Sequence, residues 1–168
     1  MKWLNKALFA LTLLVLVSGC SASKEDTIQR TYQIFADSFQ EQAKETNETT
    51  NQLSLYLPRG VEIKDEADYN LFLKKGEEIY LLFFNPQEPL NSKVNADRDK
   101  EANEGSLLFE TIEHEGKLGY ISIVEESGEW ELIAGIGGAK ITTRTDKKHA
   151  TEAMDIMVKI LHSLHYLD

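Results

Sequence analysis

The stretch Ile79-Tyr80-Leu81-Leu82-Phe83-Phe84 constrains the fold of this chain more than any other part of it. Successive side chains of a β-strand point to opposite faces of a sheet, so six apolar residues in a row make both faces of a strand apolar. We therefore expect a central strand with a covering layer above it and below it. The preceding Lys74-Lys75-Gly76-Glu77 predicts a tight turn that joins this strand to a partner at 69–73.

Other segments alternate with the period of two that is typical of strands. Leu53, Leu55 and Leu57 predict a strand that ends at Pro58-Arg59-Gly60. A meander is expected at 107–114, 118–125 and 130–134, with turns at Glu115-Gly116 and Ser127-Gly128, and residues 141–144 extend the same sheet. Residues 85–105, which contain Pro86, Pro89 and many charges, are expected to form a long loop.

Two segments have the three-and-four spacing of amphipathic helices. The first runs from about 25 to 45, and the second from about 150 to 164, with Thr145 or Asp146 placed to cap its start. The fold class is therefore α+β: an antiparallel sheet of five or six strands packed with an N-terminal and a C-terminal helix. Because 79–84 needs cover on both sides, we expect a layered α/β sandwich with one helix on each face.

The N-terminal residues have the pattern of an export signal. Lys2 and Lys6 precede an apolar run at 7–17, which is shorter than the roughly 20 residues that a membrane-spanning helix needs. Val17-Ser18-Gly19-Cys20 then resembles the lipobox of bacterial lipoproteins. That resemblance implies that a signal peptidase recognises Val17, Ser18 and Gly19, that the thiol of Cys20 receives a diacylglyceryl group, and that the chain is cut before Cys20. An ordinary secretory signal with a nearby cysteine is the alternative.

This interpretation divides the chain into a signal peptide at 1–19, a lipidated tether at 20–26 and a single globular α+β domain at 27–168. Two acyl chains hold a protein lastingly on a membrane, so the expected location is the extracytoplasmic side of the cell membrane. Cys20 is the only cysteine, so no thiol remains for a disulfide within the chain and the domain depends on its apolar core.

The charge of the chain narrows the classes of partner. Lys2 and Lys6 leave with the signal peptide and no acid does, so the net charge changes from −10 to −12. Nucleic acid is excluded as a partner because its phosphates require a basic surface. An anionic leaflet repels an acidic domain, so binding to the membrane through the surface of the domain is disfavoured. The lipid on Cys20 is then the expected membrane contact.

The end of the chain carries a second resemblance. The C-terminal part of the chain is similar to small lipoproteins of Gram-positive bacteria, a group whose members have no established activity. The similarity lies in the order of Trp130-Glu131-Leu132-Ile133, the segment 135–140 and the terminal helix. The resemblance therefore assigns no activity to this chain, and we expect no catalytic residue and no cofactor because the sequence has no motif for them.

Two charged segments are candidates for binding. Lys140, Arg144, Lys147, Lys148 and His149 form a basic island, which suits an anionic partner such as a wall polymer or an acidic loop of an envelope protein. The acidic loop at 97–104 has carboxylates at alternate positions, like a calcium loop. However, it lacks the glycine and the final bidentate carboxylate of such loops. The alternative is that the two segments balance each other's charge.

Two further patterns favour structural roles. Gly135-Ile136-Gly137-Gly138-Ala139-Lys140 lacks the spacing of a phosphate-binding loop, and glycines within a strand pattern usually mark a bend or a close backbone approach. His162 and His165 have no obvious third metal ligand. No motif for a nucleophile, a metal or a cofactor is found.

Together these features predict a membrane-anchored extracytoplasmic lipoprotein that acts as a non-catalytic accessory or interaction module of the cell envelope. The alternative is a module that binds a small ligand or a cation through the acidic loop 97–104 or the basic island 140–149.

Overall fold

The computed structural model of this protein describes residues 23–167. The described chain is an α+β domain with three helices and two antiparallel sheets. The helices are α1 (Lys24–Asp37), α2 (Val94–Ala102) and α3 (Ala150–His162). The strands are β1 (Glu48–Thr49), β2 (Leu53–Leu55), β3 (Glu62–Ala67), β4 (Asn70–Lys75), β5 (Glu78–Phe84), β6 (Leu108–His114), β7 (Lys117–Glu126), β8 (Glu129–Ile136), β9 (Ala139–Thr145) and β10 (His165–Tyr166).

The main sheet has seven strands in the order β3-β4-β5-β9-β8-β7-β6, and a small sheet has the order β1-β2-β10. The hairpin β4–β5 and the meander β6–β7–β8 confirm the expected pairings. The prediction of one sheet of five or six strands is wrong. It missed the charged edge strand β3, and Leu53–Leu55 belongs to the small sheet. Strand β9 does not extend an edge but lies between β5 and β8.

Both terminal helices lie on one face of the main sheet, which we call the first face. Phe35 of α1 and the apolar side of α3 pack there with alternate residues of the central strands. The shared core includes Tyr80, Leu82, Phe84, Ile121, Ile123, Trp130, Leu132 and Ile141. The expectation of one helix on each face is wrong, because α1 and α3 also pack against each other.

The opposite side, the second face, is covered only in part. Helix α2 packs over β7 and β8, where Ala96 contacts a small cluster of Leu118, Tyr120 and Ile133. This helix lies within 85–105, so the prediction of a long loop there is wrong. Strands β4 and β5 receive no such cover from the described residues, and Ile79 is 59% exposed. The strand 79–84 is therefore interior to the sheet but covered on one side only.

The two terminal helices differ from their expected bounds. Helix α1 starts at Lys24, within the proposed tether, because Ser23 and Asp26 form a capping box. It ends at Asp37 rather than near 45, and the hydroxyl of Ser38 bonds to the carbonyl of Phe35 at 2.6 Å. Helix α3 has no side-chain cap, since the carboxylate of Asp146 instead accepts the N–H groups of Lys148 and His149 in the preceding turn.

The expected signal peptide at 1–19 and the proposed sites Val17, Ser18, Gly19 and Cys20 lie outside the described residues. Within residues 23–167, no helix is long and apolar enough to cross a membrane.

Candidate functional site

The basic island does not form one cationic surface. The ammonium of Lys140 lies 2.7 Å and 3.0 Å from the two carboxylate oxygens of Asp99, whose side chain is only 7% exposed. Lys140 therefore neutralises a carboxylate of its own chain, and the two candidate segments balance each other at this pair. Arg144 is exposed and contacts Glu126 at 2.7 Å and Glu131 at 3.7 Å.

The other members of the island follow β9. The imidazole of His149 lies 3.1 Å from the carboxylate of Asp146, while Lys148 is exposed. Lys147 is half-buried. Four of the five residues thus lie at one end of the sheet, whereas Lys140 lies under α2.

The acidic segment 97–104 is helical up to Ala102 and does not present a calcium loop. Asp99 faces the sheet, where it accepts hydrogen bonds from Lys140 and, at 2.6 Å, from the hydroxyl of Tyr120. Burial and the neighbouring carboxylate of Asp99 raise the pKa of Tyr120, so this phenol stays protonated and donates. Within residues 23–167 we find no group of three or more side chains arranged to hold a metal ion.

The glycines after Trp130 are needed for close packing under α2. A Cβ atom at Gly135 would lie 2.1 Å from the ring of Tyr120, so only glycine lets that ring lie across β8. A Cβ atom at Gly137 would lie 2.5 Å from the carbonyl oxygen of Pro89. The structural interpretation of this segment, a close backbone approach, is therefore confirmed.

A partly buried contact between Ser38 and His162 resembles the start of a catalytic triad, but its geometry does not activate the serine. Ser38 Oγ lies 3.0 Å from His162 Nε2 and 2.6 Å from the carbonyl oxygen of Phe35. A carbonyl only accepts hydrogen bonds, so the single hydroxyl proton points to Phe35 and Nε2–H is the donor to Oγ. A general base would have to accept that proton instead.

On the described strands of the main sheet the exposed large apolar side chains are Phe72, Ile79 and Leu81, and all three lie on the uncovered part of the second face, which we call the open half. Phe72, Leu81 and Thr142 are direct cross-strand neighbours on β4, β5 and β9. Ile79 adjoins them, and Phe72 and Leu81 are 39% and 37% exposed. A strand with one face in water normally carries polar residues on that face, so large apolar side chains here indicate a surface that another molecule covers.

A groove of about 600 Å³ lies at the β5–β8–β9 end of the open half. Its floor contains Ile79 and Leu81. Five carboxylates line it against one arginine and one histidine, and that arginine, Arg144, already contacts two glutamates. The carboxylates of this acidic groove are Glu77, Glu78, Glu129, Glu131 and Asp146.

The sequence revealed the apolar strand of this site but not its acidic rim. Glu77 lies in the turn before β5 and Glu129 is the first residue of β8, and only the insertion of β9 between β5 and β8 brings these distant residues together. Searches of protein-family models, of curated proteins and of solved structures found no significant match to this chain.

Proposed function

We propose that this protein is a membrane-anchored extracytoplasmic lipoprotein whose domain is a non-catalytic interaction module. In this proposal the open half and its acidic groove bind a basic, partly apolar segment of another envelope protein. The observation that carries the proposal is the row of exposed apolar side chains beside five carboxylates. Apolar burial supplies affinity, and the carboxylates select the partner by charge.

The negative charge of the acidic groove and the short segment before α1 favour a basic segment of another protein over other ligands of the open half. A second copy of the chain would bring its own acidic rim against this one, and like charges at an interface cost several kcal/mol. A lipoprotein cut before Cys20 has only residues 20–22 ahead of the described region, too few to cover the open half. An anionic lipid surface is repelled by the same carboxylates.

The anchor is tested by metabolic labelling with a fatty acid. We expect label on the wild-type protein and none on Cys20→Ala, because the thiol of Cys20 is the acceptor in the proposed lipobox. Ser18→Ala, which keeps a small residue at that position, should still be labelled. Equal labelling of the wild type and Cys20→Ala would remove the anchor from the proposal.

The groove is tested by fluorescence anisotropy with a labelled ten-residue peptide of alternating Lys and Val. We expect Leu81→Asp to weaken binding at least tenfold, because a charged side chain replaces part of the apolar floor. Leu167→Asp is the matched control, since Leu167 is 45% exposed and lies outside the groove.

A peptide of alternating Glu and Val should not bind, and added salt should weaken the Lys-Val peptide. Equal binding of the two peptides, or equal loss with Leu81→Asp and Leu167→Asp, would contradict the proposed groove.

A further inference from the structure

A second cavity, separate from the acidic groove, lies at the opposite end of the sheet. It has a volume of about 320 Å³ and lies where the C-terminal end of α3 meets the turn between β8 and β9. Six aliphatic side chains form most of its wall, among them Leu90, Ile136 and Leu161. This size and lining are typical of a site for a small molecule. We call it the distal cavity.

The charged lining of the distal cavity is entirely basic. Its only ionisable side chains besides Tyr166 are Lys117, His162 and His165. The other four cavities that we compared within residues 23–167 each include at least two carboxylates. In a chain with 28 acids and 18 Lys and Arg residues, a cavity without a carboxylate favours an anionic ligand.

Two donors in this cavity have no partner among residues 23–167. The ammonium of Lys117 makes no ion pair there, and the hydroxyl of Tyr166 makes no hydrogen bond. The ring of Tyr166 is fixed by stacking on Phe84 at 6.0 Å, and burial raises the pKa of Tyr166, which keeps the hydroxyl protonated as a donor. Both donors line the same cavity as the apolar wall, so a ligand with an anionic head and an apolar tail would meet both kinds of surface.

Lys117 is the only lysine or arginine that lines the cavity. His165 Nδ1 donates to the carbonyl oxygen of Ser163 at 2.8 Å, and His162 Nε2 is held by Ser38. Burial, together with the charge of Lys117, lowers the pKa of His162 to about 4, so this ring is neutral at neutral pH. Lys117 then matches a monoanion such as a carboxylate better than a phosphate monoester, which carries up to two charges.

We propose that the distal cavity binds a small apolar carboxylic acid, with the carboxylate held by Lys117 and Tyr166 and the tail against Leu90, Ile136 and Leu161. This site is independent of the acidic groove.

Thermal unfolding of the full chain with octanoate tests the site. At ten times its dissociation constant, octanoate should raise Tm by about 3 to 6 °C. Octan-1-ol has the same tail without the charge, and octylamine reverses the charge, so both should give clearly smaller shifts. Octyl phosphate distinguishes a carboxylate site from a general anion site, and a larger shift with it would contradict the proposed carboxylate.

Two variants test whether octanoate binds in the distal cavity. Lys117→Gln should weaken octanoate binding at least tenfold, whereas Lys148→Gln, which removes the same charge from an exposed position at the other end of the sheet, should not. Ala43→Trp fills the cavity from an exposed rim position and should abolish the octanoate shift without loss of fold.

Equal Tm shifts with octanoate and octan-1-ol, or an octanoate shift that survives in both Lys117→Gln and Ala43→Trp, would overturn the proposal. So would the absence of any shift with octanoate in the wild type.

Discussion

Lys140 and Arg144 lie four residues apart on β9, yet their environments differ. Lys140 contacts a carboxylate that is almost fully buried, whereas the pairs of Arg144 are exposed to water. Removing one partner of a buried pair leaves an uncompensated charge, while an exposed pair contributes little to the free energy of unfolding. The two positions therefore give a matched comparison.

We expect Lys140→Met to lower the free energy of unfolding by about 3 kcal/mol and Arg144→Met by less than about 1 kcal/mol. The double variant Asp99→Leu with Lys140→Met should recover much of the loss, because no charge is left buried. Urea denaturation measures all three. Equal effects of Lys140→Met and Arg144→Met would show that Lys140 is not an internal partner of Asp99.

His162 gives stability a dependence on pH. Its pKa is lowered to about 4 in the folded chain, below the ordinary value of 6.5, so the unfolded chain binds more protons between these two values. The contribution of His162 to the free energy of unfolding is fully present above pH 6.5 and is lost as the pH falls towards 4. Since water screens the partly exposed ring, we expect a loss of about 1 to 2 kcal/mol between pH 7 and pH 5.

The variant His162→Gln isolates this contribution, because glutamine can still donate to Ser38 but does not titrate. Urea denaturation from pH 7 to pH 5 should show that the free energy of unfolding falls more steeply for the wild type than for the variant. Parallel pH profiles of the two proteins would contradict a buried, neutral His162.

At the scale of elements, helix α2 shows why the sequence left part of the fold open. Its buried residues are Asn95, Ala96 and Asp99, so it has almost no apolar stripe, and its charges are typical of a solvated loop. It is held by polar contacts instead: Asp99 bonds to Lys140 and Tyr120, and Asn95 bonds to the carbonyl of Gly137 at 3.3 Å. These contacts join residues that are at least 21 positions apart in the chain, so no short sequence pattern predicts them.

Helix α1 shows a similar limit. Its buried line is Thr27, Thr31 and Phe35. Phe35 belongs to the apolar residues that predicted the helix, whereas Ile28 and Tyr32 of the same pattern are only partly buried against the core. The hydroxyls of Thr27 and Thr31 each bond to the carbonyl four residues earlier, which satisfies them without water. The sequence did establish the α+β class, the β4–β5 hairpin and the meander, since these depend on period-two alternation and on glycine turns.

The packing of α2 on the sheet can be tested through Gly135. We expect Gly135→Ala to lower the free energy of unfolding by about 1 to 3 kcal/mol, because the new Cβ atom collides with the ring of Tyr120. Gly105→Ala is the control, since no atom lies within 4 Å of a Cβ built there. If urea denaturation gives both variants the same stability, the ring of Tyr120 does not lie over β8.

At the scale of the whole molecule, the proposed lipid anchor on Cys20 would orient the domain, because few residues separate Cys20 from α1. Four residues reach at most about 14 Å. Lys24 contacts Glu125 near the turn between β7 and β8, so a lipidated Cys20 holds that end of the sheet beside the membrane. The ten residues of β7 span about 33 Å, which places the distal cavity on the side that faces away.

Energy transfer to an acceptor lipid measures this orientation. Lipidated Cys20 leaves no free thiol, so a dye can be attached to Ser127→Cys or to Glu115→Cys, two exposed turn residues at opposite ends of β7 with similar backbone conformations. We expect stronger transfer from position 127. Equal or reversed transfer would contradict the orientation.

The measurement that tests the central claim most directly is site-specific photo-crosslinking in intact cells with a photoreactive residue in place of Ile79. We expect one adduct with another envelope protein, cross-linked through a basic segment. Glu129→Lys should reduce its yield several-fold, whereas the same change at Glu110, outside the groove, should not. No adduct, an adduct with a second copy or with lipid, or an adduct that Glu129→Lys leaves unchanged would contradict the proposed role of the open half.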